Sequence, residues 1–274
     1  MRIALCLYGC FNNRSDNQAD DKGYSYLKEN ILDKVESVDV FSHSWDDGFK
    51  NKIDDYYNPR ISLYEKQIDF NSIGREAGID EVWINEGFNR NVTLYQQCTI
   101  NASLSFYYSR AKAIQFKSEY EKTHDFNYDC VVVARFDSGQ RSTWHTGYNV
   151  SLIPFDPNLD MTYIYSAMWM QLNAGYADQW FFSNSENINK LGDMYDKALN
   201  DYFQKNSEYC NAITNGWFDS DDSSEISNEF INKNELAIRH KYPRWQMINN
   251  HILHKWHLYK VGLYNKSKFL GEKR

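Results

Sequence analysis

The chain has 274 residues, which is enough for one large domain or two small ones. Hydrophobic residues make up 42% of it, so a sizeable core can form. The formal net charge is −7 and no stripe of lysine and arginine occurs, which disfavours binding to long nucleic acids. The 21 tyrosines and 8 tryptophans offer flat faces with a polar tip, which suit sugars and nucleobases but also occur in ordinary cores.

Cysteine usage and hydropathy bear on the location of the protein. The five cysteines follow no zinc-binding spacing, and Cys6 and Cys130 lie inside apolar runs typical of buried strands. The first apolar run, residues 3–8, is too short for a signal peptide, and no run approaches the ~20 residues of a membrane span. We therefore expect a cytoplasmic protein with reduced thiols and no membrane span.

Short apolar runs bounded by turn residues predict a series of strands, and helical spacing predicts the helices between them. In the first half of the chain, the predicted strands are residues 3–8, 38–44, 61–64 and 128–137, and the predicted helices are residues 24–35 and 94–120. In the second half, the strands are residues 161–165, 179–182 and 258–264, and the helices are residues 185–203, a segment starting near 225, and residues 245–256. This alternation predicts one α/β domain over residues 1–274, with a mostly parallel central sheet flanked by helices.

Three of the predicted strands end in polar residues. Asn12, Asn13 and Arg14 follow the first strand, residues 43–47 close the second, and residues 135–138 close the fourth. Ligands of open α/β sheets bind beyond the carboxyl ends of the strands. The sequence therefore predicts one binding site where these three ends meet.

The fourth strand ends in a cation and a carboxylate. Arg135 and Asp137 occupy alternate positions, so both side chains point to the same side of the strand. A carboxylate can hold Mg²⁺ or Mn²⁺ and a guanidinium can pair with phosphate oxygens, so the two together suit a metal-bound diphosphate. A plain Arg–Asp ion pair at the end of a strand is the alternative interpretation.

Four segments, taken in order, resemble GT-A glycosyltransferases, and more closely a subset found in capsule loci and large DNA viruses. Residues 131–137, Val-Val-Val-Ala-Arg-Phe-Asp, resemble the strand with the Asp-x-Asp motif, with Arg-Phe-Asp in its place. Residues 38–46 resemble the strand Asp-Val-Phe-x-His-x-Trp of that subset. Residues 109–121 resemble the helix before the motif strand, and residues 178–182 resemble its Asp-x-Trp-Phe segment.

The resemblance implies a GT-A-like fold in which residues 1–137 bind a nucleotide sugar and residues 138–274 bind the acceptor. It implies a glycosyltransferase, of the hexosyl- or pentosyltransferase kind, whose donor is a nucleoside-diphosphate sugar, with a UDP-sugar favoured. The acceptor would be a hydroxyl of an oligosaccharide or of a glycoprotein glycan, with inversion at the anomeric centre expected. If the chain is viral, its location would be the host cytoplasm.

The resemblance also implies roles for individual residues. The residues expected to bind the donor are Tyr8, Asn12, Asn13, Arg14, Asp46, Arg110, Arg135 and Asp137. Asp178 is the expected general base, since an inverting enzyme needs a carboxylate near the acceptor hydroxyl; a turn or helix-capping acid is the alternative. A divalent metal ion, Mn²⁺ or Mg²⁺, would be held by Asp137 and a C-terminal histidine, His254, for which a hydrogen-bonded core histidine is the alternative. Because Arg135 replaces the first acid of the motif, metal binding through Asp137 alone would be weaker than binding through two acids.

Two other interpretations of the sequence stay open. A methyltransferase using S-adenosylmethionine would share the α/β pattern, but its glycine-rich first loop is missing, since Gly9 is followed by Cys10-Phe11-Asn12. A non-catalytic glycan-binding protein would fit the many aromatic residues, but it would need no Arg-x-Asp at the end of a buried strand. A literal Asp-x-Asp at residues 219–221 follows no strand and precedes a predicted helix, so we interpret it as a capping loop.

Overall fold

A seven-stranded sheet forms the centre of the protein. A computed structural model describes residues 1–13, 18–19, 21–80, 98–139, 149–168, 175–214 and 249–271. The strands of the sheet are β1 (Ile3–Gly9), β4 (Val38–Ser44), β5 (Ile61–Tyr64), β6 (Cys130–Arg135), β7 (Ile164–Ala167), β8 (Trp180–Ser183) and β9 (Ser267–Leu270). Two short strands, β2 (Asn12–Asn13) and β3 (Gln18–Ala19), pair with each other outside it.

The strands follow the order β5-β4-β1-β6-β8-β7-β9 across the sheet. Strands β5, β4, β1 and β6 are parallel, β8 runs antiparallel to both β6 and β7, and β9 is parallel to β7. The predicted mostly parallel α/β sheet is therefore confirmed. The chain builds outward from β1 to β5 and then returns to the other side of β1 with β6, which makes the β1–β6 boundary the point where the strand order reverses.

Helices flank the sheet, as predicted. Their bounds are α1 Asp21–Asn30, α2 Lys50–Tyr57, α3 Phe70–Glu76, α4 Ile100–His124, α5 Ser185–Gly192, α6 Met194–Lys197, α7 Glu208–Thr214 and α8 Asn250–Lys260. Side-chain oxygens cap four of them, because Asp69, Thr99, Asn184 and Asn249 accept hydrogen bonds from the first free N–H groups of α3, α4, α5 and α8. No helix in the described ranges combines the length and the apolar character that a bilayer span requires.

Alternate residues of the central strands pack on opposite faces of the sheet. In β1, Leu5 and Leu7 belong to one apolar cluster, while Ala4 and Cys6 belong to another on the opposite face. All four side chains are inaccessible to solvent. Burial on both faces explains why the central strands are almost uninterrupted apolar runs. Polar side chains of these strands are consequently concentrated at their ends.

The C-terminal segment differs from its prediction. Residues 258–264 do not form a strand: α8 continues to Lys260, and the last strand is β9. The helix ends in a Schellman motif, in which Leu263 N–H donates to Leu258 O at 2.7 Å and Gly262, at φ +75°, donates to Tyr259 O at 3.2 Å. The two leucines then pack in the same apolar cluster. The apolar residues that predicted a strand are thus the packing contacts of a helix end.

Two further predicted helices have different outcomes. The amphipathic segment 185–203 is helical but interrupted, since α5 ends at Gly192, α6 follows from Met194, and a π-helical turn spans Ala198–Tyr202. The acidic loop of residues 219–224 and the helix predicted after it lie outside the described residues.

The division into halves at residue 137 stays a prediction, although both halves contribute strands to one sheet.

A close backbone contact ties the segment before β8 to α8. Gly175 has φ +83°, and a Cβ atom there would lie 2.1 Å from the carbonyl carbon of His251. We therefore expect Gly175→Ala to lower the free energy of unfolding by more than the roughly 1 kcal/mol typical of a positive-φ position. Gly262→Ala is the matched control, because Gly262 has φ +75° and no atom within 4 Å of the added Cβ. Equal losses in urea denaturation would contradict the close contact.

Candidate functional site

The carboxyl ends of β1 and β6 bring a tyrosine and an arginine side by side. Tyr8 is the sheet neighbour of Arg135, and Asp137 follows two residues later. Between the two charged residues, the ring of Phe136 is fully buried and packs edge-on against Phe11, 5.5 Å between centroids. Phe136 thus packs in the core, while Arg135, the last residue of β6, contacts Asp137 in the turn that follows the strand. The predicted proximity of the two charged side chains is confirmed, although Asp137 lies beyond the end of the strand.

Arg135 and Asp137 form a two-point ion pair. Arg135 Nε donates to Asp137 Oδ1 at 2.7 Å, and Arg135 Nη2 donates to Asp137 Oδ2. Both side chains remain about one-third exposed, at 35% and 38%. Burial opposes the charge of Arg135, but the carboxylate outweighs it and raises the pKa of the guanidinium. The ion pair uses two of the five guanidinium N–H donors, and among the described residues no hydrogen bond takes up the other three.

Asp178 lies against the end of β1 through its main chain. Tyr8 Oη donates to the carbonyl oxygen of Asp178 at 2.9 Å, and Tyr8 is only 1% exposed. Burial raises the pKa of the Tyr8 hydroxyl, which keeps it a neutral donor. The carboxylate of Asp178 is 11% exposed and lies 3.8 Å from His251 Nδ1. Asp178 precedes β8 and does not cap a helix, so the helix-capping alternative does not apply.

Asp46 holds the loop that follows β1. Its Oδ2 atom accepts hydrogen bonds from the main-chain N–H groups of Phe11 and Asn12, and its Oδ1 atom accepts from Asn12 Nδ2 at 3.0 Å. Asp46, which we expect to bind the donor, thus holds the loop after β1 in this structure, and its contact with the donor stays a prediction. Asn13 is described only by its main chain, which pairs in β2, and Arg14 lies outside the described residues.

Arg110 and His254 are buried against each other. Arg110 is 1% exposed; its Nη1 donates to His254 Nε2, and its guanidinium lies 5.7 Å from the ring of Phe181. Because arginine only donates, Nε2 of His254 is the acceptor, and Nδ1–H donates to the carbonyl of Asn250. Burial, and then the charge of Arg110, lower the pKa of His254 well below its ordinary value. Arg110 thus lies beneath the site, without the exposed face that direct donor binding would need.

The described residues do not fit a metal centre. Both oxygens of Asp137 accept from Arg135, and both ring nitrogens of His254 are hydrogen-bonded. Nowhere in the described ranges do three or more His, Cys, Asp or Glu side chains form a group that could hold a metal ion. Asp137 and His254, which we expected to hold Mn²⁺ or Mg²⁺ together, therefore have no ligand atom that is not already hydrogen-bonded to another described residue.

Three polar residues near this edge of the sheet, Ser109, His43 and His251, received no individual role from the sequence, although residue 43 belongs to the predicted polar end of the second strand. Gly9 N–H donates to Ser109 Oγ at 2.9 Å, and Ser109 Oγ lies 2.7 Å from His43 Nδ1. His251 Nδ1 donates to the carbonyl of Tyr176 at 3.0 Å, beside Asp178. The only available signal was the histidine within the Phe-Ser-His-Ser-Trp segment, since a serine inside a long helix carries no mark of its partner.

No protein-family model matches this chain, and no curated protein sequence shows significant similarity to it. The function is therefore argued from the site itself. Of the predicted residues, the structure brings Tyr8, Asn12, Asp46, Arg135, Asp137 and Asp178 to the carboxyl edge and buries Arg110 and His254 under it.

The buried histidines predict a loss of stability in mild acid. Burial lowers the pKa of His257 from 6.5 to about 4, even though its Nε2–H donates to Lys190 O. The unfolded chain takes up this proton near pH 6.5 and the native protein does not, so stability is full above pH 6.5 and falls as the pH drops towards 4. At about 1.4 kcal/mol per pH unit, His257 alone accounts for a loss of about 3 kcal/mol. Urea denaturation between pH 7.5 and 4.5 measures the slope, which His257→Asn should reduce; an unchanged slope would contradict the assignment.

Proposed function

We propose that this protein is a glycosyltransferase that moves a sugar from a nucleoside-diphosphate sugar, with a UDP-sugar favoured, to a hydroxyl group of a glycan. The observation that carries the proposal is the meeting of Arg135, Asp137 and Asp178 at the ends of β1, β6 and the segment before β8. Open α/β sheets bind ligands where the strand order reverses, which is the β1–β6 boundary here. An exposed guanidinium beside a sheltered carboxylate suits a reaction with an anionic leaving group and a hydroxyl nucleophile.

Arg135 would bind the diphosphate of the donor. Asp137 orients its guanidinium, and the donors not used in that ion pair can reach phosphate oxygens. When the bond between the anomeric carbon and the phosphate oxygen breaks, the diphosphate leaves with the electron pair. A cation already in position stabilises this developing charge more in the transition state than in the ground state.

Asp178 would accept the proton of the acceptor. In an inverting transfer, the acceptor oxygen bonds to the anomeric carbon from the side opposite the diphosphate and gives its proton to a carboxylate. The hydrogen bond from Tyr8 to the main-chain carbonyl of Asp178 fixes the backbone that carries this carboxylate. Tyr8 lies at the end of β1, directly before the loop expected to bind the donor. The low exposure of Asp178, 11%, shelters the proton transfer from bulk water.

Nucleotide binding is the first test. We expect UDP or GDP to raise the melting temperature in scanning fluorimetry, since a ligand at a hundredfold excess over its Kd stabilises the native state by roughly 2.7 kcal/mol. CMP and S-adenosylhomocysteine are the comparison ligands. A shift with S-adenosylhomocysteine alone would support a methyltransferase instead. No shift with any nucleotide, together with binding to a glycan array, would support a glycan-binding protein.

Arg135→Ala should weaken UDP binding at least about tenfold, because charged hydrogen bonds to phosphate are lost. Arg60→Ala is the matched control: Arg60 Nε donates to Asp39 Oδ1 at 2.6 Å, in an Arg–Asp pair at the amino ends of β4 and β5. Calorimetric titration with UDP should show normal affinity for this control. Equal affinities in the two variants would mean that Arg135 serves only as the ion-pair partner of Asp137.

Asp178→Asn keeps the shape of the side chain and removes the base. We expect UDP affinity near that of the wild type and turnover lower by about 10² to 10⁴, the usual cost of losing a general base. Asp156→Asn, in an exposed turn, controls for the change of charge. The anomeric configuration of the product, determined by NMR, completes the test. A retained configuration, or a variant within tenfold of the wild type, would remove Asp178 from this role.

A further inference from the structure

A chain of hydrogen bonds runs beneath the end of β1. Gly9 N–H donates to Ser109 Oγ at 2.9 Å, Ser109 Oγ lies 2.7 Å from His43 Nδ1, and His43 Nε2 lies 2.9 Å from Glu65 Oε1. It joins four elements, because Gly9 ends β1, Ser109 lies in α4, His43 lies in β4, and Glu65 follows β5. Ser109 and His43 are completely buried, whereas the side chain of Glu65 is 27% exposed.

The direction of each bond follows from the groups present. Ser109 accepts from the Gly9 amide, so its own hydroxyl proton is available to His43 Nδ1. The carboxylate of Glu65 only accepts, so His43 Nε2 carries the ring proton and donates it. With a neutral imidazole, the donors therefore run in the order Gly9, Ser109, His43, Glu65. Burial favours that form, because it lowers the pKa of His43 against the opposing effect of Glu65.

Ser, His and Glu in a row also occur in nucleophilic catalysis, but this set has the wrong exposure for that chemistry. Ser109 Oγ is inaccessible to solvent and already bonded to a main-chain amide, so no substrate can approach it. What the chain of bonds does control is the backbone of Gly9, which has φ +101°. The carbonyl of the same residue accepts from Trp45 N–H at 3.2 Å, so both main-chain polar groups of Gly9 are hydrogen-bonded.

Gly9 begins the loop that Asp46 holds at its other end. Three residues later, Asn12 donates both its main-chain N–H and its side-chain amide to the Asp46 carboxylate. One residue earlier, Tyr8 donates to the carbonyl of Asp178. The loop is therefore attached at both ends to the strands around it, and its path between Tyr8 and Asn12 depends on the conformation at Gly9.

We propose that His43 and Ser109 are positioning residues that set the conformation of the loop at residues 9–13 and thereby its affinity for the nucleotide. This proposal rests on the proposed function, since the loop follows β1 at the edge where the donor would bind. Neither residue touches the donor. They act through the Gly9 amide, so their loss changes donor binding more than the chemical step.

The test compares two buried serines. Ser109→Ala removes the link to Gly9, whereas Ser183→Ala removes a hydroxyl that is equally buried, donates to Tyr163 O at 2.7 Å and accepts from Asn187 Nδ2 at 2.9 Å. Ser183 lies beside Val131, at the opposite end of the strands. Its substitution should therefore destabilise the fold to a similar extent without affecting the loop. His43→Asn interrupts the same chain of bonds from the other side of Ser109.

We expect Ser109→Ala and His43→Asn to raise the Kd for UDP and the KM for the donor about threefold to tenfold, the usual effect of one hydrogen bond, with kcat at saturating donor little changed. Amide hydrogen exchange at Gly9, followed by NMR, should accelerate in both variants. Ser183→Ala should lower the melting temperature but leave the Kd and the Gly9 exchange rate unchanged.

Two outcomes would overturn the proposal. One is an unchanged Kd for UDP in Ser109→Ala and His43→Asn although Gly9 exchanges faster; the other is an equal rise in Kd in Ser183→Ala. A wild-type protein that binds no nucleoside diphosphate would instead overturn the proposed function, and the donor part of this proposal with it. Titration of the wild type with UDP is therefore the first measurement, and it separates the two failures.

Discussion

Parallel pairing of β1 with β4 on one side and β6 on the other is the constraint on which the rest of the structure depends. Parallel strands place their carboxyl ends at the same edge of the sheet, so the residues that leave β1, β4 and β6 meet whatever their distance in the sequence. Because both faces of these strands are buried, the strand interiors hold apolar side chains almost without interruption. The polar side chains that follow the carboxyl ends of these strands therefore lie at this edge.

The polar side chains buried beneath this edge are mostly uncharged. His43 and His254 are both fully buried, and burial lowers the pKa of each and so favours the neutral ring, which has one donor and one acceptor nitrogen. A neutral imidazole can join two buried partners without the large cost of burying a charge. Arg110 is the exception, and its charge is met by the ring nitrogen of His254 and by the faces of Phe106 and Phe181. His43, His254 and His257 thus each link different elements of the fold through their hydrogen bonds.

The Arg-x-Asp sequence at the end of β6 changes what this strand end can offer. Two acids at these positions would repel each other and attract a cation, whereas Arg135 and Asp137 attract each other and form an ion pair without any added ion. The pair presents a guanidinium with unused donors, which suits phosphate oxygens more than it suits a metal ion. The proposed leaving-group stabilisation therefore depends on Arg135, and Asp137 serves chiefly to orient it.

Much of the fold could be predicted from the sequence, because its signals are local. Residues 38–44 and 61–64 form strands with the predicted bounds, since apolar and β-branched runs between turn residues favour a strand. The period of a strand also predicted that Arg135 and Asp137 lie together, although β6 ends at Arg135 and Asp137 lies in the turn after it. Residues 258–264 mark the limit of this reasoning, because apolar residues at a helix end and in a short strand have the same composition, and only the left-handed Gly262 distinguishes them.

The sequence by itself determined most of the strands and their polar ends, because the period of a strand depends only on neighbouring residues. The alternation of strands and helices also predicted that these ends meet at one edge of a parallel sheet. Only the tertiary structure decided which polar residues face that edge and which lie beneath it. His254 meets Arg110 across 144 positions of the chain, and Gly9 meets Ser109 across 100. A histidine or serine has the same sequence signature whether it binds a ligand or holds a buried amide. Its role depends on the partner that packing brings within about 3 Å, and that partner is set by the whole fold.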